Sequence, residues 1–310
     1  MNRYLVTGAA GFVSRHFITR VETDEPDAVI LGTDRAPPAF PYAHGFTPLD
    51  LMDAAGVDRL VTEFSPTWIV HFASYSSVAS SWVDPASSFA NNTNIFLNIL
   101  EAVRRNRIEC RILSIGSSEE YGNVDPGRVP LSETEPLDPI SPYAVARVAQ
   151  ENLSRVYARS LGLYIVMTRS FNHVGPGQRT DFVIPSIVKQ FLDCKLDRVE
   201  LAVGDVSIVR DFLDVRDVVD AYLRIMRDGK PAEVYNVCSG NGVSIGQVID
   251  MVSSIVGKRY ALHVDESRIR PNDNKIIVGD NRKLAEATAW TTRIALRQSL
   301  SDIYNEMRGR

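Results

Sequence analysis

An apolar segment, Arg3 to Thr7, runs without a break into Gly8-Ala9-Ala10-Gly11-Phe12-Val13-Ser14. This spacing puts two glycines where a strand turns into a helix, the point at which backbone N–H groups can close on a pyrophosphate. Gly8 suits the tight turn, Gly11 removes the side chain that would block the phosphate, and the helix end beginning at Phe12 and Val13 adds its dipole. Ser14 stands where a third glycine usually allows close helix–strand packing, at some cost in room. Asp34 follows 23 residues after Gly11, near the spacing at which a carboxylate grips the adenosine ribose hydroxyls of NAD. Arg35 beside it can instead meet a 2′-phosphate or stack on adenine, so NAD(H) and NADP(H) both stand. The plainer alternatives are a glycine turn without a ligand and a solvated Asp34-Arg35 turn.

Elements with a definite period must hold such a turn. Arg3 to Thr7, Ala28 to Thr33, Trp68 to Phe72, Arg111 to Ile115 and Tyr164 to Arg169 are short, nearly continuous apolar runs, as expected of strands covered on both faces. Helical stretches alternate with them, so the expected fold is α/β, a Rossmann-type doubly wound parallel sheet with a smaller C-terminal substrate domain. Its ligands would lie beyond the carboxyl ends of the strands. Ser141 as N-cap, Pro142 at the first position and Gly162 as the stop define one helix, which carries Tyr143. A second is expected from about Asn94 to Arg105, with Ile95, Leu97, Ile99, Leu100 and Val103 as its apolar face. The first domain is expected over 1–170 plus about 208–238, and the second over about 171–207 plus 239–310.

The composition bounds the partners. Of the 310 residues 45% are hydrophobic and 23% charged, enough for a sizeable core. A net charge of −4 gives no sequence-wide basic field for nucleic acid. Cys110, Cys194 and Cys238 are odd in number and unpaired in spacing, which points to no metal site and suits a reducing cytoplasm. No apolar run approaches the roughly 18 to 20 residues that span a bilayer, so no membrane contact is expected.

After Ile115 comes Gly116-Ser117-Ser118-Glu119-Glu120-Tyr121-Gly122, and later Ser141-Pro142-Tyr143-Ala144-Val145-Ala146-Arg147. With the glycine turn, these segments resemble the extended short-chain dehydrogenase/reductases, the NAD-dependent epimerase/dehydratase family. The resemblance implies a catalytic group of Ser117, Tyr143 and, at the usual lysine position, Arg147. Hydride addition to a ketone builds charge on oxygen, so a hydroxyl donor and a proton source belong beside it. A cation one helical turn from Tyr143 favours the phenolate. Arginine keeps the charge of lysine and changes its shape. The resemblance also implies a cofactor pocket lined by Asp50, Leu51, Phe72 and Ala73 and contacted by Tyr143 and Arg147 as well, with Ser74 to Ser77 near the substrate, and His71 is read as a core histidine.

The resemblance runs through nearly the whole chain. Phe171-Asn172-His173-Val174-Gly175-Pro176-Gly177-Gln178 is similar to a segment of the GDP-mannose-processing members, in which the asparagine meets the substrate diphosphate. It implies substrate contacts from Ser118, Asn172, Arg179, Arg210 and Arg270, the arginines suiting phosphate unless Asp211, Asp214 or Asp273 pair with them on the surface. The combined segments look most like the GDP-6-deoxy-mannose reductases, which reduce a 4-keto sugar nucleotide to GDP-rhamnose. A 4,6-dehydratase, or another sugar-nucleotide dehydratase or epimerase, with Glu119 as base is the alternative. From a different class comes a non-catalytic nucleotide sensor, in which Ser14 and Arg147 record lost chemistry. The helices near 94–105 and 142–161 match those that pair in family dimers, so a homodimer through a four-helix bundle is expected.

Overall fold

A computed structural model describes residues 1–268 and 274–309. Its strands are β1 (Arg3–Thr7), β2 (Val29–Asp34), β3 (Gly45–Pro48), β4 (Trp68–His71), β5 (Arg111–Ser117), β6 (Tyr164–Ser170), β7 (Asn172–Val174), β8 (Arg198–Val203), β9 (Val209–Asp214), β10 (Val234–Val237), β11 (Gly242–Ser244), β12 (Arg259–Val264) and β13 (Ile276–Ile277). Its helices are α1 (Phe12–Asp24), α2 (Ala54–Phe64), α3 (Val78–Val83), α4 (Pro85–Arg105), α5 (Pro142–Leu161), α6 (Val183–Asp193), α7 (Val215–Asp228), α8 (Ile245–Val256), α9 (Arg282–Thr288) and α10 (Leu296–Arg308).

Seven strands form one parallel sheet in the order β10-β6-β5-β4-β1-β2-β3. The doubly wound Rossmann-type sheet expected from the sequence is therefore present. The order reverses between β1 and β4, and the crevice at their carboxyl ends is where such sheets take ligands. One face packs on α1 and α7 through Phe17, Val21, Val218, Tyr222 and Ile225, and the other on α2 and α4 through Val57, Val61, Phe96 and Ile99. Both faces are covered, which explains why the central strands read as unbroken apolar runs.

A second apolar core joins α6, α8 and α10 with β8 through Ile187, Val188, Phe191, Leu201, Val248 and Ile303. Here β9 is the hub: it pairs antiparallel with β11 and parallel with β7 and β13. The chain between 208 and 238 is shared, since β9 belongs to this smaller sheet whereas α7 and β10 return to the large one.

α5 begins and ends as expected. Ser141 accepts from Ala144 N at 3.1 Å, Pro142 is the first residue, and Gly162 closes the helix at φ 73°. α4 differs, for it starts at Pro85 rather than near Asn94 because Asp84 caps it, accepting from Ser87 N at 3.0 Å. The polar run Asn91-Asn92-Thr93-Asn94 disguises its first half. Asn92 is fully buried and exchanges hydrogen bonds with the backbone of Tyr75. No helix among the described residues is long and apolar enough to cross a membrane.

Candidate active site

The glycine turn is built from backbone. Gly8 has φ +68°, and a Cβ there would stand 2.6 Å from Ala73 N, so only glycine fits between β1 and the chain leaving β4. Gly11 caps α1 without a side-chain hydrogen bond, and the first turn, with Phe12 and Val13, carries no acidic residue. An anion therefore meets open N–H donors and the positive helix end. Ser14 is fully buried and donates from Oγ to Gly8 O at 2.7 Å, so the residue in the third glycine position ties the turn down.

The remaining residues expected at a cofactor surround this turn. Asp34 ends β2 and accepts from Ala10 N at 3.2 Å and Arg35 N at 2.7 Å. Arg35 donates to Tyr75 Oη at 3.2 Å and lies 5.5 Å from that ring, so it borders the crevice as a braced cation. Asp50 accepts from Met52 N at 2.9 Å and Leu51 is buried. Phe72 and Ala73 follow β4, hydrogen-bonded back to Thr7. Together the uncapped helix end, the side-chain-free turn and the carboxylate at the end of β2 fit a dinucleotide.

His71 lies beneath, fully buried, with Nδ1 bonded to Thr7 Oγ1 at 2.9 Å. Burial and the Arg147 cation hold it down to about 3, so it is neutral and part of the core.

On α5, Tyr143 and Arg147 face inward together, 6% and 4% exposed. Arg147 Nε donates to Tyr143 Oη at 3.2 Å and Nη1 to Ile115 O at 3.0 Å and Gln150 Oε1 at 2.6 Å, while Nη2 donates to Ser74 Oγ. All its described partners are neutral, so the cation is buried without a carboxylate. Leaving a charge so is costly unless it serves another group. Gln150 passes the bracing on to Ser114 Oγ at 3.0 Å.

Ser117 ends β5, two residues beyond the carbonyl that Arg147 grips. Its Oγ accepts from Glu119 N at 3.2 Å, which leaves the O–H to donate elsewhere. Ser118 is buried in the same short turn, whereas Glu119 is half-exposed.

Ser74, Gln150 and Tyr222 were not among the expected catalytic residues. Tyr222 on α7 is fully buried, its hydroxyl bonded to Ser170 Oγ at 2.7 Å and His173 Nε2 at 3.1 Å. Burial holds His173 down to about 4. The signal available for Gln150 was its spacing: Tyr143, Arg147, Gln150, Glu151 and Ser154 form a polar stripe on the buried face of one helix.

The residues expected on the substrate are more scattered. Asn172 on β7 is exposed. Arg179 is exposed and paired with Asp181 at 2.8 Å. Arg210, 8% exposed, donates to Val209 O at 2.9 Å and Asn274 O at 2.8 Å. Asp211 accepts instead from Ser239 N and Gly240 N, and Asp214 pairs with Arg216. Arg270 and Asp273 lie outside the described residues. Among the described residues no group of histidine, cysteine and carboxylate side chains gathers as a metal site.

The chain is similar to known proteins along almost its whole length. The family model described as GDP-mannose 4,6 dehydratase matches residues 5–303. The GDP-6-deoxy-D-mannose reductase of Pseudomonas aeruginosa is 32% identical, with 99% of this chain and 98% of that protein covered. The structure of RMD from Pseudomonas aeruginosa complexed with NADPH superposes with a TM-score of 0.87 at 31% identity, covering 100% and 99% of the two chains. UDP-glucose 4-epimerase from Thermotoga maritima, with UDP-glucose, superposes with a TM-score of 0.91 at 26% identity, covering 99% of each. With a glycine turn, a Tyr143–Arg147 pair on one helix and a match along almost its full length, the chain belongs to the GDP-mannose 4,6 dehydratase family of extended short-chain dehydrogenase/reductases.

Proposed function

We propose that the protein is an NAD(P)H-dependent reductase that converts the C4 ketone of GDP-4-keto-6-deoxy-D-mannose to the alcohol, giving GDP-D-rhamnose. The observation that carries this is the buried Arg147 cation, which has no carboxylate partner among the described residues and donates to the Tyr143 hydroxyl. Gly8, Gly11, Phe12, Val13, Asp34 and Arg35 would hold the cofactor, with Asp50, Leu51, Phe72 and Ala73 along the same crevice. When bound, the nicotinamide supplies hydride to the carbonyl carbon.

Tyr143 supplies the proton. Its Oη accepts from Arg147, so its own O–H is free to point at the ketone oxygen, and the guanidinium stabilises the charge left on Oη when the proton leaves. Ser117 donates a second hydrogen bond to the same oxygen. Arg147 holds its geometry through Ile115, Gln150 and Ser74, so it acts as a rigid brace as well as a charge. Asn172, Ser118, Arg179, Arg210 and Arg270 would meet the GDP-sugar. The identity to the P. aeruginosa reductase and the NADPH named with its solved relative support this choice.

A second reading, dehydration of GDP-mannose with Glu119 as base, is favoured by the half-exposed place of Glu119 two residues after Ser117. A homodimer is supported by the apolar side chains that α4 and α5 leave outside: Phe89, Val145 and Val156 are 43%, 45% and 55% exposed.

Purified protein incubated with GDP-4-keto-6-deoxy-D-mannose and each reduced cofactor tests the proposal, with GDP-mannose and oxidised cofactor alongside. Cofactor oxidation with the keto sugar is expected. Conversion of GDP-mannose without net cofactor change would favour the dehydratase, and silence in both arms would overturn both readings.

A further inference from the structure

Directly behind Ser117 lies a second buried group that the proposed chemistry does not use. Glu120 is completely buried, and its Oε1 accepts from Ser117 N at 2.7 Å. Space for it exists because residue 116 is glycine: a Cβ there would stand 2.3 Å from Glu120 Oε1. Its other oxygen, Oε2, is also buried and has no donor among the described residues.

The neighbour on that side is Glu151 of α5, within side-chain hydrogen-bonding reach of Glu120; it is 4% exposed and two helical turns past Tyr143. Arg169 of β6 grips Glu151 with two hydrogen bonds, Nη2 to Oε1 at 2.8 Å and Nε to Oε2 at 2.9 Å. Arg155 adds a third contact to Oε1 at 2.7 Å. Arg169 is 2% exposed, lies 4.9 Å from the Tyr121 ring and donates to Glu133 O at 3.1 Å. Both cations are thus committed to Glu151, and Glu120 keeps one backbone N–H as its only described donor. A carboxylate so placed would be an uncompensated buried charge next to another carboxylate. Neutralising it with a proton turns Oε2 from an orphan acceptor into a donor toward Glu151.

We propose that Glu120 and Glu151 share one proton in a buried carboxyl–carboxyl hydrogen bond, and that through it Glu120 acts as a positioning residue that fixes Ser117 relative to the Tyr143–Arg147 helix. The link runs from Ser117 N through Glu120 to Glu151, which stands on the same helix face as Tyr143 and Arg147. Charge and geometry agree. Burial, then the neighbouring Glu151 carboxylate, push Glu120 well above the usual carboxylate range. Burial also pushes Glu151 up, but the Arg169 hydrogen bonds and the charges of Arg169 and Arg155 outweigh it and hold Glu151 low. The groups facing the pair are Arg155 from α5, Arg169 from β6, and Tyr121 from the turn itself.

This inference rests on the reading of Ser117 as the second donor, so its test has an arm independent of turnover. The folded chain keeps the Glu120 proton after the unfolded chain has released it near the ordinary carboxylate value of 4.5, so this group's stabilisation is lost as pH rises toward the folded value. Glu151 has the opposite sign, contributing stability that disappears as pH falls. Glu120→Gln keeps an acceptor for Ser117 N and a permanent donor toward Glu151. The Tm of E120Q relative to wild type is therefore expected to rise by roughly 2 °C per pH unit as pH rises above about 5. A pH-independent difference would show that Glu120 is ionised in the fold and would overturn the shared proton.

In the activity arm, E120A is expected to lose about tenfold in kcat with KM little changed, whereas E120Q stays within about threefold of wild type. Equal loss in E120Q and E120A, or full activity in E120A, would overturn the positioning role. Absence of turnover in the wild type would instead count against the proposed function, and the pH dependence of Tm would still decide the proton.

Discussion

The glycine turn and the Tyr143 face of α5, to which the proposal gives neighbouring tasks, are built of opposite materials. The turn is made of backbone: Gly8 at positive φ, Gly11 as an uncapped helix start, and Ser14 closing the loop within six residues of Gly8. The α5 face is made of side chains that meet partners from β5, β6 and the chain after β4, between 18 and 73 residues away in sequence. A backbone site tolerates changes in type around it but no Cβ inside it. A side-chain site tolerates neither the loss of one partner nor a change in the shape of its cation.

Removing the phenol should have the largest effect. Tyr143→Phe is expected to lower kcat on the keto sugar by roughly 10²–10⁴-fold, the usual worth of a positioned proton donor, with cofactor affinity preserved in a fluorescence titration. A drop of less than about tenfold would remove Tyr143 from the proton-transfer role.

Arg147 sharpens the contrast. Lysine carries the same charge on a compact head that cannot reach Tyr143, Ile115 O, Gln150 and Ser74 at once. Arg147→Lys is therefore expected to destabilise the fold by about 1–3 kcal/mol, the cost of buried partners left unpaired, measured by denaturant unfolding, and to lower kcat. A lysine variant more active than wild type would mark Arg147 as damage to an ancestral site, as the sensor alternative requires.

Gly8→Ala tests the backbone side. Strain of about 1–3 kcal/mol at a left-handed position, added to the 2.6 Å approach of Ala73 N, should weaken cofactor binding by about tenfold or more. Tyr143 and Arg147 would be left in place. Unchanged cofactor affinity would mean that the turn does not cradle the pyrophosphate.

The smallest effect is expected at Glu119. Glu119→Gln should leave ketone reduction within about threefold of wild type, since that reaction requires no base. A loss of a hundredfold or more in conversion of GDP-mannose would move the assignment to dehydration.

The same contrast explains what the sequence disclosed. β1, β4, β5 and β6 are legible because a strand buried on both faces is apolar throughout. α5 is legible because its cap, first-position proline and closing glycine are local signals. The start of α4 was hidden because Asn92 and Thr93 are polar residues serving the interior, one bonded to Tyr75 and the other to Phe89 O. β3 escaped notice because it is an edge strand of four residues, exposed at both ends. β11 and β13 are too short, at three and two residues, to show a period.

At the site, Tyr143, Arg147 and Ser117 were identifiable as residue types in order. What holds Arg147 was not, because Ser74, Ile115 and Gln150 are assembled by the sheet. The Glu120–Glu151 contact is hidden for the same reason: two glutamates 31 residues apart carry no mark in sequence that they meet. Asp211 is taken by the backbone of Ser239 and Gly240, a use that its place next to Arg210 in sequence does not reveal.

The fate of the hydrogen that reaches the sugar decides whether C4 is reduced. Protein incubated with GDP-4-keto-6-deoxy-D-mannose and a reduced cofactor deuterated on the transferring face of its nicotinamide should yield GDP-D-rhamnose carrying one deuterium at C4, read by NMR. A product without deuterium, or with deuterium at any other carbon, would contradict reduction at C4 and the role assigned to Tyr143 with it.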